Sequence, residues 1–211
     1  MKLEIDGIRH GGEIPERFAF GKPDSDTHVA FAANRNPGLR WSGVPEGARS
    51  LVLIMVDTDV PTRPDDVNRE GREVPASLPR TNFYHWVMVD IPPWLTGIEE
   101  GACSDGVTPQ GKDDPPGPEQ ARQGLNDYTG WFTGDEAMEG EYFGYDGPCP
   151  PWNDSIPHHY HFRLYATDLE RCPVDGPFTG KDVERAIEGH VIAETEVTGI
   201  YTLNPRLRGS L

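Results

Sequence analysis

The sequence predicts a mostly β fold: a largely antiparallel β domain with one late helix and long Pro/Gly-rich loops. Three observations carry this. Gly 24 and Pro 21 make up a fifth of the 211 residues, more breakers than a helical bundle or coiled coil can absorb. The strongest apolar runs are only about six to nine residues long and rich in β-branched and aromatic side chains, the signature of buried strands. One segment alone joins a helix-start signal to helical spacing.

The elements follow in order. Residues 1–8 (MKLEIDGI) alternate apolar and polar, as a half-buried strand does. Residues 29–33 form a short apolar strand. Residues 51–56 (LVLIMV) read as a central strand buried on both faces, and 83–91 (FYHWVMVDI) as a second. In 159–167, Tyr160, Phe162, Leu164 and Ala166 point one way, while His159, His161, Arg163 and Tyr165 point the other. Thr179-Gly180-Lys181-Asp182 resembles a capping box, and the spacing of Val183, Ala186, Ile187 and Val191 predicts a helix over 183–193. Residues 200–203 close the sheet. Residues 62–82 and 105–124 are long loops, a length usually tied to function or mobility. No domain boundary appears, so 1–211 reads as one domain.

Charge and cysteines exclude several classes. A formal net charge of −16 argues against nucleic-acid binding and against docking on anionic lipid. Cys103, Cys149 and Cys172 are far apart and form no CxxC, so neither a disulfide framework nor a cysteine zinc site follows. No apolar stretch reaches the ~18 residues of a membrane span. No cofactor motif is present and none is expected; the expected compartment is the cytoplasm.

Polar residues gather where these strands meet Pro/Gly-rich loops, as in pockets of β domains. Asp57-Thr58-Asp59-Val60-Pro61 follows the first long run, His85 sits early in the second, and Gly147-Pro148-Cys149-Pro150-Pro151 precedes His158-His159-Tyr160-His161. Each has a plain structural explanation. The aspartates could cap a turn, His85 could be a core histidine with satisfied hydrogen bonds, and the prolines could stiffen a loop.

These blocks resemble the phosphatidylethanolamine-binding protein (PEBP) family. DTDVP at 57–61 resembles its D-P-D-x-P signature, Pro37-Gly38-Leu39-Arg40-Trp41 its P-x-L-x-W approach, and His85-Trp86-Met88 lie in a run like its H-W-x-V strand. GPCPP at 147–151 followed by 157–166 (PHHYHFRLYA) resembles its G-P-x-P-P…H-x-Y-x-F-x-L-Y-A block. Order and separation match over residues 5–203, most like the prokaryotic Raf kinase inhibitor-like branch. The resemblance implies two antiparallel sheets of Greek-key type with a small anion-binding pocket at one end. It implies ligand-binding roles for Asp57, Asp59, Pro61, His85, Pro150, Pro151, His158 and Tyr160. Thr58 departs from the family by replacing a proline, His159 and His161 are additional histidines, and 131–144 looks like an insertion that could form a lid or an interface.

The expected function is binding of a small anion: a phosphate, a carboxylate or a phosphorylated, phospholipid-type headgroup. Histidine and tyrosine supply donors at fixed geometry, and an aspartate can fix a histidine tautomer. Regulation of a partner protein is a further role open to such a module, and Trp131 and Phe132 are candidates for a homodimer interface. Two other readings stay open. Asp57 with His85 or His158 could serve as general acid and base in a hydrolase or transferase, although no G-x-S-x-G nucleophile is present. His158, His159 and His161 with Asp57 or Asp59 could hold Zn²⁺, although such spacing is common in solvated strands.

Overall fold

The apolar run at 51–56 lies at the centre of the molecule because it has no polar face to give to water. In the computed structural model, which describes residues 1–209, this run is part of a twelve-residue strand. The elements in chain order are β1 (Lys2–Ile5), β2 (Gly12–Glu13), β3 (Gly21–Asp24), β4 (His28–Phe31), β5 (Leu39–Ser42), β6 (Ser50–Pro61), β7 (Arg80–Ile91), β8 (Gly97–Ile98), β9 (Arg122–Gln123), α1 (Tyr128–Trp131), β10 (His158–Thr167), α2 (Gly180–Ala186) and β11 (Val191–Tyr201). A six-stranded sheet has the order β2-β11-β10-β6-β7-β9; a three-stranded sheet has the order β1-β5-β8; β3 and β4 form a hairpin. The pairings are antiparallel except for the two-residue contact of β2 with β11. The fold is therefore mostly β, as the sequence predicts.

Period-two alternation sorts β6 into two cores. Leu51, Leu53 and Met55 pack with Phe162, Leu164, Trp86 and Met88 against Leu3, Ile5, Leu39, Trp41 and Ile98 of the smaller sheet. Val52, Ile54 and Val56 pack with Val87 and Val89 against Phe178, Val183 and Ile187 around α2. In β10 the even-numbered residues from His158 to Ala166 are buried and the odd-numbered ones partly exposed.

Two local expectations are corrected. The helix expected over 183–193 is α2, Gly180–Ala186; its capping box between Thr179 and Asp182 is present. Gly189, at φ +79°, turns the chain after it. Val191 then begins β11, where it is exposed rather than part of a helical stripe. The reason is that 191–201 is rich in β-branched residues and finds a full-length partner in β10; cross-strand pairing outweighs a short helical spacing. Of the closing strand expected at 200–203, Ile200 and Tyr201 are the end of this same β11, and Thr202 and Leu203 lie beyond it. The second correction concerns 57–61, which are not a turn: they continue β6 to Pro61.

Candidate functional site

Two irregularities in the β6–β7 pairing aim the polar residues. Met55 pairs with Trp86 and Val56 with Tyr84, so His85 is an extra residue without a partner across the ladder. Asp57 pairs with Phe83 and Val60 with Thr81, which leaves Thr58 and Asp59 opposite Asn82 alone. Such bulges re-aim side chains and strengthen local twist. The Asp59 N–H folds back to donate to Asp57 Oδ1 (2.8 Å).

Asp57 is 1% exposed and His158 0%. His158 Nδ1–H donates to Asp57 Oδ2 (2.7 Å), and Nε2–H donates to Asp154 Oδ2 (3.2 Å). Arg80 completes the row with a fork onto both oxygens of Asp154 (2.6 and 3.0 Å). Burial opposes the charge on His158, but the charge of Asp57 and the hydrogen bonds to Asp154 and Asp57 outweigh it and raise its pKa to about 9. Burial likewise opposes ionisation of Asp57, and the His158 charge overrides it, holding the carboxyl below its ordinary range. The row Asp57–His158–Asp154–Arg80 thus carries two negative and two positive charges, each beside its opposite.

His85 is held differently. Its Nδ1–H donates to the Asp146 carbonyl (2.8 Å), and its own carbonyl accepts from the Asp146 N–H (3.0 Å). Burial lowers its pKa, against the pull of Asp57. A neutral ring with Nδ1 committed to a carbonyl leaves Nε2 as an acceptor. Asp146 is itself buried and takes hydrogen bonds from Asn34 (2.7 Å), Asn126 (2.8 Å) and Lys112 (3.0 Å). Asn34 Oδ1 also accepts the Gly147 N–H (2.8 Å), which fixes the start of the Pro-rich loop. A Cβ on Gly147 would collide with the Phe18 carbonyl, so only glycine lets the loop lie this close.

These groups meet at a cavity of about 620 Å³. Of the eight residues predicted as ligand-binding, Asp57, Pro61, His85, Pro150, Pro151, His158 and Tyr160 line it. Asp59 does not: its carboxylate faces the outer side of β10 and accepts from the His159 N–H and Nδ1 (both 2.8 Å). The Tyr160 hydroxyl is buried without a hydrogen bond of ordinary geometry, though Asp57 is its neighbour. Cys149 also lines the cavity, and burial pushes its thiol up to about 12, far from a thiolate nucleophile. Among the described residues no group of three His, Cys, Asp or Glu could hold a metal ion, and no helix is long and apolar enough to cross a membrane.

Several residues here have no local signal in the sequence. Asp154 and Arg80 lie 74 positions apart. Phe20, Phe31, Phe83 and Tyr128 line the cavity but come from four separate segments; only their residue type hints at a wall. Trp131 and Phe132, from the segment read as a lid or interface, line it too.

Comparison with known proteins agrees with this arrangement. The sequence profile described as "Phosphatidylethanolamine-binding protein" matches residues 4–202. A UPF0098 protein of Methanothermobacter thermautotrophicus is 32% identical over 201 residues, covering 95% of this chain and 98% of that protein. The UPF0098 protein YbcL of Escherichia coli is 31% identical over 172 residues, 81% of this chain and 73% of YbcL. The crystal structure of E. coli YbcL, described as a new member of the mammalian PEBP family, superposes with a TM-score of 0.65 at 28% identity, covering 95% of this chain and 97% of that one. A PEBP homologue from Chlamydia trachomatis superposes at 0.61 with 27% identity, over 94% and 95% of the two chains. A profile match over nearly the whole length, prokaryotic relatives and neighbouring structures agree: the chain belongs to the phosphatidylethanolamine-binding protein family.

Proposed function

We propose that the protein is a binding module that seats the polar head of a small molecule on the cavity floor formed by Asp57, His85, His158 and Tyr160. The head is a phosphate, a carboxylate or a phosphorylated headgroup. Family membership supports ligand binding in general. The observation that carries the finer reading is the Tyr160 hydroxyl, a buried donor with no acceptor in good geometry. A hydroxyl on the floor of the cavity is placed to donate to a ligand oxygen seated there.

The chemistry of the floor narrows the head further. Neither lysine nor arginine lines the cavity among the described residues. The charge of His158 is already shared between two carboxylates. The floor therefore offers a donor in Tyr160 and acceptors in His85 Nε2 and Asp57. It suits a head that both donates and accepts, such as a monoprotonated phosphate, a carboxylic acid or a phosphate paired with an ammonium group. Regulation of a partner protein belongs to the same reading, with occupancy of the cavity as the signal. The alternative, a hydrolase or transferase with Asp57 and His85 or His158 as general acid and base, has less support: both ring nitrogens of His158 are engaged, and His85, with Nε2 left as an acceptor, has beside it only a Cys149 thiol that burial pushes up to about 12.

Tyr160→Phe tests the proposal. It removes one oxygen and leaves the ring packing. Calorimetric titration with phosphate and phosphoethanolamine should show affinity falling about tenfold, while the unliganded protein keeps or gains stability. Unchanged affinity for both ligands in Tyr160→Phe would remove the floor from the binding site.

A further inference from the structure

The cavity is much larger than its polar floor. Above Asp57 and His158 the walls are aromatic. Phe20 and Tyr128 stack with ring centroids 4.6 Å apart and planes 20° apart, and Tyr128 and Phe132 stack at 5.6 Å and 16°. Phe83 meets the Tyr128 ring edge-on at 5.2 Å. At the mouth, Phe31 is 57% exposed and Trp131 49%, which sets two large apolar side chains in water beside the opening. Phe20 and Tyr128 are already nearly dry against each other, but an inorganic ion would leave Phe31 and Trp131 wet. A cavity of about 620 Å³ is of the size that encloses a drug-sized molecule. It is too small for a diacyl lipid, each of whose two chains spans about half of the ~30 Å hydrocarbon core of a bilayer.

From the aromatic walls, the exposed rim and the volume together, we infer that the ligand is a small amphiphile: one aromatic ring carrying the polar head, the ring held against Phe20, Tyr128 and Phe132 and covered at the mouth by Phe31 and Trp131. This rests on the floor being the head site. It goes beyond that reading by naming the body of the ligand. It also assigns specificity to α1 and the residue that follows it, because Tyr128, Trp131 and Phe132 are three of the five aromatic residues around the ring. Stacked and edge-on partners favour a flat ring over a flexible chain, since a ring covers both faces of such a wall without losing rotameric freedom.

The test is titration of the full chain with four probes: inorganic phosphate, phenyl phosphate, benzyl alcohol, and vesicles of diacyl phosphatidylethanolamine. The inference expects phenyl phosphate to bind at least about tenfold more tightly than inorganic phosphate, the increment for burying one ring. It expects that excess to shrink severalfold in Phe31→Ala/Trp131→Ala, two exposed positions whose loss leaves the core intact, with phosphate affinity unchanged. Phe132→Leu, which keeps apolar volume but removes the ring, should reduce the excess by itself. Equal affinity for the two phosphates overturns the ring pocket while leaving the floor standing. Binding of benzyl alcohol with no response to either phosphate overturns the floor and keeps the ring pocket. Tight binding of the vesicles, or no binding of any probe, overturns the inference.

Discussion

The two faces of β10 place the same residue type in opposite situations. His158 and Tyr160 point inward, fully buried. His159 and His161 point outward and stay partly exposed. His158 is held by Asp57 of β6 and by Asp154, which Arg80 of β7 backs, while the Tyr160 hydroxyl faces the cavity. The outer groups have partners on neighbouring strands. His161 contacts Glu196 (3.0 Å), Thr198 (3.1 Å) and Thr58 (3.2 Å), and Arg163 also donates to Glu196 (2.8 Å). Although burial works the other way, Arg163 and His161 hold the Glu196 carboxyl down at about 2. The outer contacts are easily replaced by water, whereas the inner ones are not. What separates the two faces is therefore the cost of breaking a contact, since both faces are well supplied with contacts.

The largest effect should come from Asp154→Ala. It strips the shared acceptor from Arg80 and His158 at once, leaving Arg80 without its ion-pair partner and His158 with Asp57 alone. Urea unfolding should show a loss of about 3–5 kcal/mol. A loss under about 1 kcal/mol would erase the contrast between the faces.

Alkaline pH should come next. The folded pKa of His158 is raised to about 9, above the ~6.5 of an unfolded histidine. Its stabilising contribution is therefore complete below about pH 6.5 and is lost as pH rises through about 9, a swing of up to ~3 kcal/mol. Stability measured at several pH values between 6 and 10 should fall accordingly, and His158→Gln should remove that part of the slope. A slope unchanged in His158→Gln would mean that the histidine carries no proton in the native state.

The smallest effect should be on the outer face. His159→Ala and His161→Ala should each change stability by no more than about 0.5 kcal/mol, since their partners are solvated and exposed pairs contribute little. A loss as large as that of Asp154→Ala would make the outer cluster a structural element in its own right.

Legibility in the sequence followed the range of the interactions. β6, β7 and β10 were legible because continuous or alternating apolar residues report burial locally, and the inward set of β10 came out residue by residue. Asp57, His85, His158 and Tyr160 lie among polar residues at the ends of apolar strands, but it was the resemblance of the blocks around them to the family that singled them out. The bulge that aims His85 had no local signal, because it depends on a register set by two strands together. The pairing of Asp154 with Arg80 could not be read across 74 positions. The aromatic wall was hidden because one phenylalanine in a loop says nothing about which others it will meet. The over-long helix had the opposite cause: four residues at helical spacing were a real but weak local preference, and β10 offered 191–201 a better partner.

The walls of the cavity come from residues 20 to 160, scattered across β3, β4, β6, β7, α1, the Pro-rich loop and β10. No single element supplies even half of it. Closure of such long loops precedes the contacts that reward it, so the chain should fold slowly for its size, and the cavity should form among the last features. Any ligand that occupies it binds only the finished fold and is linked to the whole folding equilibrium. The protein would then gain thermal resistance with the logarithm of the ligand concentration once that exceeds Kd, and lose its binding capacity in the same transition that unfolds it.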